Sequence, residues 1–331
     1  MYKKLYRIHN KSTNPFYNLA LEEYILTTKK NMSFLILWQN NNTVVIGNNQ
    51  NAWEEVNLDF ARKNGISVVR RITGGGAVYH DMNNVNFSFI TELDESGGFT
   101  INDFVRPVTA ALSDMGVPAV ADGRNDITVN GLKVSGNAQR ISGGRILHHG
   151  TLLFKADAQK MSSVLRVRPE KFVSKSTKSV KSRVGSISEL IDKKMTVSEF
   201  IAALEDSFSK DTPTELYELT PDDIAEVERL AAEKYSRPEW TFRAVQPMDI
   251  KCSAKYDGGI IDIMLKVEND RVAACRIFGD FMAVDDPFEL EKAIVGAKFS
   301  PEGIRAALSG LPLNNILGGI TGEQFIECIF K

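Results

Sequence analysis

Short apolar and β-branched runs punctuate the first half of the chain. Phe34-Leu35-Ile36-Leu37-Trp38 and Thr43-Val44-Val45-Ile46-Gly47 predict two strands joined by an asparagine-rich turn. Ile66-Ser67-Val68-Val69 predicts a third, and Asn86-Phe87-Ser88-Phe89-Ile90 alternates polar and apolar residues as a strand does. Asp126 to Val129 and the run from Leu132 flank Asn130-Gly131, the strongest short hairpin signal. Ser142-Gly143-Gly144 turns the chain again, and Ile146 to Phe154 runs back.

Helical spacing fills the gaps. Asn14-Pro15 can cap and open a helix whose apolar side is Phe16, Leu19, Ala20 and Leu26. Asp59 to Asn64 predicts a short helix ended by Gly65, and Phe104, Val108, Ala111, Leu112 and Met115 recur at helical spacing up to Gly116. Thr196 with Glu199 forms a capping box, and Thr220-Pro221 starts a helix reaching about Tyr235. Past Pro247 the order changes to three strands (near Ile250–Lys255, Ile260–Val267 and Arg271–Phe278), then helices begun by Ser300-Pro301 and by Thr321 with Gln324. This divides the chain into a large unit, 1–246, and a small α+β unit, 247–331.

Between the third and fourth strands lies Arg70-Arg71-Ile72-Thr73-Gly74-Gly75-Gly76-Ala77-Val78-Tyr79-His80-Asp81. Three consecutive glycines are costly inside regular structure, so they predict a loop. Alone they read more readily as an ordinary turn than as a site. Two arginines entering such a loop suit an anion, because guanidinium forks match carboxylate and phosphate oxygens. The loop is neither a Walker sequence nor a dinucleotide fingerprint. Asn48-Asn49-Gln50-Asn51 reads as a polar loop, either at a ligand mouth or, more commonly, on plain surface.

Composition narrows the classes. A charged content of 25% and net charge of -2 give no general attraction to nucleic acid. No apolar run approaches the ~18 residues of a membrane span, and no export segment opens the chain. Cys252, Cys275 and Cys328 are odd in number and lack metal-ligand spacing, which points to a reduced cytoplasm. On a strand from Leu132, Lys133 faces opposite to Leu132 and Val134; beside a hairpin such a lysine is more commonly solvated. His148 and His149 point to opposite faces of one strand, so they cannot share a metal.

The segments RRITGGGAVYHD, NVNFSF, GRNDITVNGLKVSGNAQ and HHGTLLF, in that order, resemble the lipoate–protein ligase A family in its long form with a C-terminal accessory domain. Lys178-Ser179-Val180-Lys181-Ser182-Arg183-Val184 is similar to that family's loop over the acyl-adenylate. The resemblance implies an α+β fold, with a large domain of mixed and antiparallel sheets flanked by helices, shared with biotin ligases and class II synthetases. It implies two steps. Lipoate and ATP give lipoyl-AMP and pyrophosphate, and the lipoyl group then passes to a lysine of an acceptor lipoyl domain. Expected acceptors are 2-oxoacid dehydrogenase E2 subunits and the glycine cleavage H protein, with a monomeric enzyme. Family roles carry over to Arg71, Gly76, Ala77, Val78 and Tyr79 for nucleotide contacts, and to Lys133 for the lipoate carboxyl and α-phosphate. The candidate binding set is completed by Gly75, Asn125, Asp126, His149, Lys181 and Arg183. Arg237-Pro238-Glu239-Trp240 looks like the family's segment closing the catalytic domain. Thr73 stands where Ser is usual, Asn83 where Gly is common, and Gly185-Ser186 where Thr-Asn is usual.

The chemistry suits these residue types. Adenylation brings a carboxylate against a polyphosphate, and one fixed ammonium between them offsets the repulsion. Lys fits a point between two oxygens better than planar Arg. Asp126 is a candidate ligand for the Mg2+ that accompanies ATP, and could equally cap a turn. A carrier-to-carrier octanoyl or lipoyl acyltransferase would use a thiolate, and no cysteine precedes residue 252. Biotin ligase would need a basic glycine–arginine loop that is absent. A non-catalytic lipoate-binding protein would have no use for Lys133 and the arginines. Every ligand motif lies before residue 190, so residues 247–331 are expected to affect rate or acceptor handling more than adenylation.

Overall fold

The computed structural model describes residues 4–93, 101–123, 125–166, 184–191, 193–210, 212–243 and 247–331. Strand β1 (Leu5–His9) leads to helix α1 (Pro15–Thr28), where the Asn14 side chain accepts the Phe16 amide and Pro15 takes the first turn. Then come β2 (Phe34–Trp38), β3 (Thr43–Ile46), α2 (Ala52–Glu55), α3 (Leu58–Lys63) and β4 (Ser67–Arg70). The glycine loop joins β4 to β5 (Val78–His80), followed by β6 (Asn84–Glu92), α4 (Ile101–Asp114) and β7 (Val120–Asp122). β8 (Asp126–Val129), β9 (Leu132–Ser142) and β10 (Arg145–Leu153) form two hairpins in succession. In the first, Asn130 and Gly131 both take positive φ (52° and 77°), the mirror-image turn that the dipeptide specifies. The large unit ends with α5 (Ala158–Val164), α6 (Val197–Lys210), β11 (Thr214–Leu216), α7 (Pro221–Leu230) and α8 (Pro238–Phe242).

One eight-stranded sheet carries the large unit, in the order β11-β1-β2-β6-β10-β9-β8-β7. Its β11/β1 and β1/β2 pairs are parallel and the rest antiparallel, so the sheet is mixed as expected. One face packs on α4 and α6 through Phe87, Phe89, Phe104, Val108, Phe200 and Leu204. Burying Phe104 alone is worth roughly 2–3 kcal/mol. The other face packs on α1 and α7 through Leu19, Ile25, Phe34, Ile36 and Val227. Buried Arg145 clamps the end of α1 to this sheet, donating to the Ile25, Leu26 and Met32 carbonyls, which suits the negative end of the helix dipole.

Although β2 and β3 are separated by a short turn, they do not pair. β2 lies beside β6, whereas β3 sits between β4 and β5 in a second sheet. The turn puts the glycine loop over the large sheet. β6 also departs from a half-solvated strand: Asn84, Asn86 and Ser88, its polar face, are buried like its apolar one.

The second unit is an antiparallel meander of β12 (Ile250–Tyr256), β13 (Gly259–Glu268) and β14 (Arg271–Gly279), with α9 (Phe288–Ile294), α10 (Pro301–Leu308), α11 (Leu313–Leu317) and α12 (Gly322–Phe330). It has its own core of Ile261, Ile263, Leu265, Phe281, Leu290 and Phe325. Ser300 caps α10, and Thr321 and Gln324 form the reciprocal cap of α12. No helix among the described residues is long and apolar enough to cross a membrane.

Candidate active site

Arg70 ends β4 with no solvent exposure, and its guanidinium is spent on carbonyls. It donates to the carbonyls of Gly47, Asn48 and Gln50 at 3.0, 2.9 and 2.6 Å, and to those of Trp240 and Thr241. Burial holds its pKa well below the usual value. Only one of the two arginines is therefore left to face an anion. Arg70 instead folds Asn48 to Asn51 inward, so that loop is buried, not surface as its polarity suggested.

Arg71 lines a cavity of about 110 Å³ beneath the glycine loop. Its Nη2 donates to the Gly74 and Gly76 carbonyls at 2.7 and 2.9 Å, and its Nη1 to Val45. The loop is thus wrapped around the side chain. Gly75 needs positive φ (87°), and a Cβ on Gly47 would stand 2.0 Å from the Gly75 carbonyl oxygen. Burial pushes the Arg71 pKa down to about 10, opposed by the nearby Glu22 carboxylate.

From Arg71 a buried polar chain crosses to α1. Arg71 Nε donates to Thr73 Oγ1 (2.9 Å), which lies 2.8 Å from His149 Nε2. His149 Nδ1 lies 2.9 Å from the Glu22 carboxylate, which can only accept, so Nδ1 is the donor of this contact. Glu22 also accepts from Ser88 (2.5 Å), which accepts from Trp38 Nε1 (2.7 Å). Thr73 thus uses the hydroxyl that it shares with the family's usual Ser.

Lys133 stands at the opposite wall, on β9. Its ammonium is 2.7 Å from Asp126 Oδ1 across the hairpin, with both side chains about a third exposed (37% and 35%). Gly136 makes room for it, since a Cβ there would lie 3.0 Å from Lys133 Nζ. Asn125 and Asn137 exchange amide-to-carbonyl bonds that close the hairpin beside it.

Of the candidate residues, Arg71, Gly75, Gly76, Ala77, Val78, Asn125, Lys133 and His149 line this one cavity. Lys181 and Arg183 lie outside the described residues. The Tyr79 side chain points away from the cavity, packing with Val44 and Ile46 while its hydroxyl donates to Asn42. Alternation along β5 forces this, since neighbours Val78 and His80 face the cavity. Asp126 does not line the cavity either; its carboxylate holds Lys133. No cluster of three metal-ligating side chains occurs among the described residues. At Asn83, φ is not positive; the Asp81 carboxylate holds that turn by accepting the Asn83 amide.

Sequence reading missed Trp38, His80, Asn86, Asn137 and Glu22. The available signal was the polar face of β6, and the Glu in the apolar middle of α1. Buried His80 is pushed down to about 3 by desolvation, then by Arg71 and His149, so it is neutral.

The small unit abuts the loop. A Cβ on Gly74 would lie 2.6 Å from the Phe281 carbonyl oxygen, and Gly279 N donates to the Asn49 carbonyl at 2.8 Å. Asn48 and Arg243 both reach Asp286.

Comparisons with known proteins agree with this architecture. A lipoate-protein ligase of Bacillus subtilis is 40% identical over 98% of this chain and 99% of its own. Lipoate–protein ligase 1 of Staphylococcus aureus is 37% identical over 96% and 98%. Among solved structures, a P. falciparum protein in complex with lipoate shares the fold, with a TM-score of 0.76 at 24% identity over 93% of this chain and 94% of that one. A lipoate-protein ligase A bound with ATP gives 0.61 at 28% identity over 73% and 99%. Residues 14–209 match the lipoyl protein ligase A/B catalytic domain and residues 246–329 the bacterial lipoate protein ligase C-terminus, so the chain belongs to the lipoate–protein ligase family.

Proposed function

We propose that this enzyme activates free lipoate with ATP, giving lipoyl-AMP and pyrophosphate, and passes the lipoyl group to a lysine of an acceptor lipoyl domain. The observation that carries this reading is one cavity with an apolar wall (Leu19, Trp38, Val45), a backbone-rich glycine loop and a single ammonium, Lys133, at its edge. The apolar wall suits the acyl tail. Lys133 suits the point where carboxylate and α-phosphate meet, because a compact cation lowers the cost of bringing two anions together. The carboxylate oxygen attacks the α-phosphorus and pyrophosphate leaves; the acceptor amine then attacks the acyl carbon and AMP leaves. Asp126 sets the direction of Lys133 before substrate arrives. It is also the carboxylate that this reading offers to the Mg2+ travelling with ATP, which would shield phosphate charge.

The acyltransferase alternative lacks a nucleophile at this site. Cys252, Cys275 and Cys328 all belong to the small unit. Burial raises all three thiols, Cys328 up to about 12, so none is poised as a thiolate. We assign adenylation to residues 1–246 and an accessory role to 247–331, with the E2 lipoyl domain and the glycine cleavage H protein as acceptor classes and a monomer as the working unit. ATP–pyrophosphate exchange run with lipoate, octanoate and biotin in parallel tests the reading. Lipoate should support the fastest exchange; failure with lipoate alongside transfer from an octanoyl carrier would overturn it.

A further inference from the structure

The cavity runs across the large sheet. Lys133 Nζ lies over Gly136, whose amide donates to Thr151 Oγ1 at 3.2 Å. Thr151 pairs with Asn86, and Asn86 with Trp38, so one row of side chains crosses from β9 through β10 and β6 to β2. Three steps of ~4.8 Å make the row roughly 14 Å long, enough for an extended eight-carbon acid with its headgroup at Lys133. Its far end is Trp38, with the His80 ring 6.2 Å away, edge to face.

That end is not purely apolar. His80 Nε2 and Asn86 Nδ2 are buried on the cavity wall (residue exposures 3% and 1%) without a hydrogen-bond partner among the described residues. The His80 tautomer follows from its neighbours. Asn18 Nδ2 donates to the carbonyls of Ser12 and Gln39, which can only accept, so the amide orientation of Asn18 is fixed. Two amide nitrogens 2.9 Å apart would repel, so it is the oxygen of Asn40 that faces this nitrogen. The nitrogen of Asn40 then faces His80 Nδ1 at 3.2 Å and donates to it. With Nδ1 accepting and the ring neutral, the proton sits on Nε2, an N–H donor with no acceptor among the described residues. Leaving a buried donor unsatisfied is costly, so a ligand that brings an acceptor there is favoured.

We propose that His80, assisted by Asn86, is a specificity-determining residue that reads a weak acceptor at the distal end of the acyl chain, namely the dithiolane sulfur of lipoate. The proposal rests on lipoate being the activated acid. A thioether-type sulfur is a weak acceptor. The methyl terminus of octanoate is none, and leaves the His80 N–H unpaired.

The experiment is ATP–pyrophosphate exchange by the full chain with three acids: lipoate, octanoate and 5-cyclopentylpentanoate. The last keeps the ring and replaces both sulfurs by methylene. Wild type should favour lipoate over this isostere by about tenfold in kcat/KM, the size of one net hydrogen bond. In His80→Phe, which keeps a flat ring and loses the donor, that ratio should fall toward one; Asn86→Leu should lower it less. Equal kcat/KM for lipoate and the isostere in wild type overturns the proposal without any variant. So does a ratio that survives in His80→Phe. Exchange with none of the three acids in wild type would remove the underlying reading, a result distinct from exchange that ignores the sulfur.

Discussion

The Glu22 carboxylate lies 2.9 Å from His149 Nδ1, and through Thr73 this contact ties helix α1 to Arg71 and the glycine loop. Glu22 fixes Nδ1 of His149 as a donor and so holds Nε2 against the Thr73 hydroxyl. Glu22→Gln keeps the shape but allows its amide nitrogen to face the ring. Exchange should fall about tenfold in Glu22→Gln and further in Glu22→Ala. The second variant should also lose about 1–3 kcal/mol of stability, the cost of an unpaired buried group, read by urea denaturation. A Glu22→Ala variant with wild-type exchange would show that the loop does not depend on the chain.

Lys133 distinguishes a surface ion pair from a catalytic cation by magnitude. A surface pair with Asp126 is worth ~0–1 kcal/mol, so Lys133→Ala would cost only a few-fold. A cation ~4 Å from the reacting oxygens contributes up to about 4 kcal/mol, or a thousandfold in rate. Lys133→Ala should therefore fold normally and nearly lose adenylate formation. Lys133→Arg should also be poor, because the planar fork cannot sit over Gly136. More than a tenth of wild-type turnover in a folded Lys133→Ala variant would return Lys133 to the surface.

Contact between the two units predicts that ATP–pyrophosphate exchange depends on the small one. A chain ending at residue 246 would lose the Phe281 backbone from Gly74 and the Gly279–Asn49 hydrogen bond. Its exchange rate should drop about five- to tenfold, the value of one such bond, if circular dichroism shows it folded. Gly74→Ala in the full chain should act in the same direction, because the added Cβ would displace Phe281. Unchanged exchange in both would confine the small unit to acceptor handling, as the position of the motifs alone suggests.

Two buried rings make the fold acid-sensitive. His80 and His148 are both pushed down to about 3, chiefly by burial. Unfolded, each would titrate near about 6.5, so between these values the unfolded chain binds more protons. Their stability contribution is complete above about 6.5 and is lost as pH falls toward 3, at about 1.4 kcal/mol per pH unit for each ring. Urea midpoints should fall between pH 7 and 5. His148 stacks on Phe104 at 4.8 Å. His148→Gln should weaken that stack, lowering the midpoint at pH 7, and flatten the acid slope. A slope identical to wild type would show that His148 is not one of the responsible rings.

Local chemistry was legible in the sequence. Asn14-Pro15, Asn130-Gly131 and Thr321 with Gln324 form the caps and turn that they encode, because each is satisfied within a few residues of backbone. The glycine loop, the hairpin lysine and the small second unit follow from the same kind of signal. Tertiary structure alone decided which polar residues face inward. Asn48 to Asn51 read as surface until buried Arg70 gathered their carbonyls, and strand alternation set the Tyr79 side chain on the far side of β5 from the cavity. The polar face of β6 became a cavity wall because β2 and β10 flank it while α1 covers it. Glu22, Trp38 and His80 meet there from three separate elements. No pattern within one element records such a meeting, since a buried polar group is stable only when distant residues supply its partners.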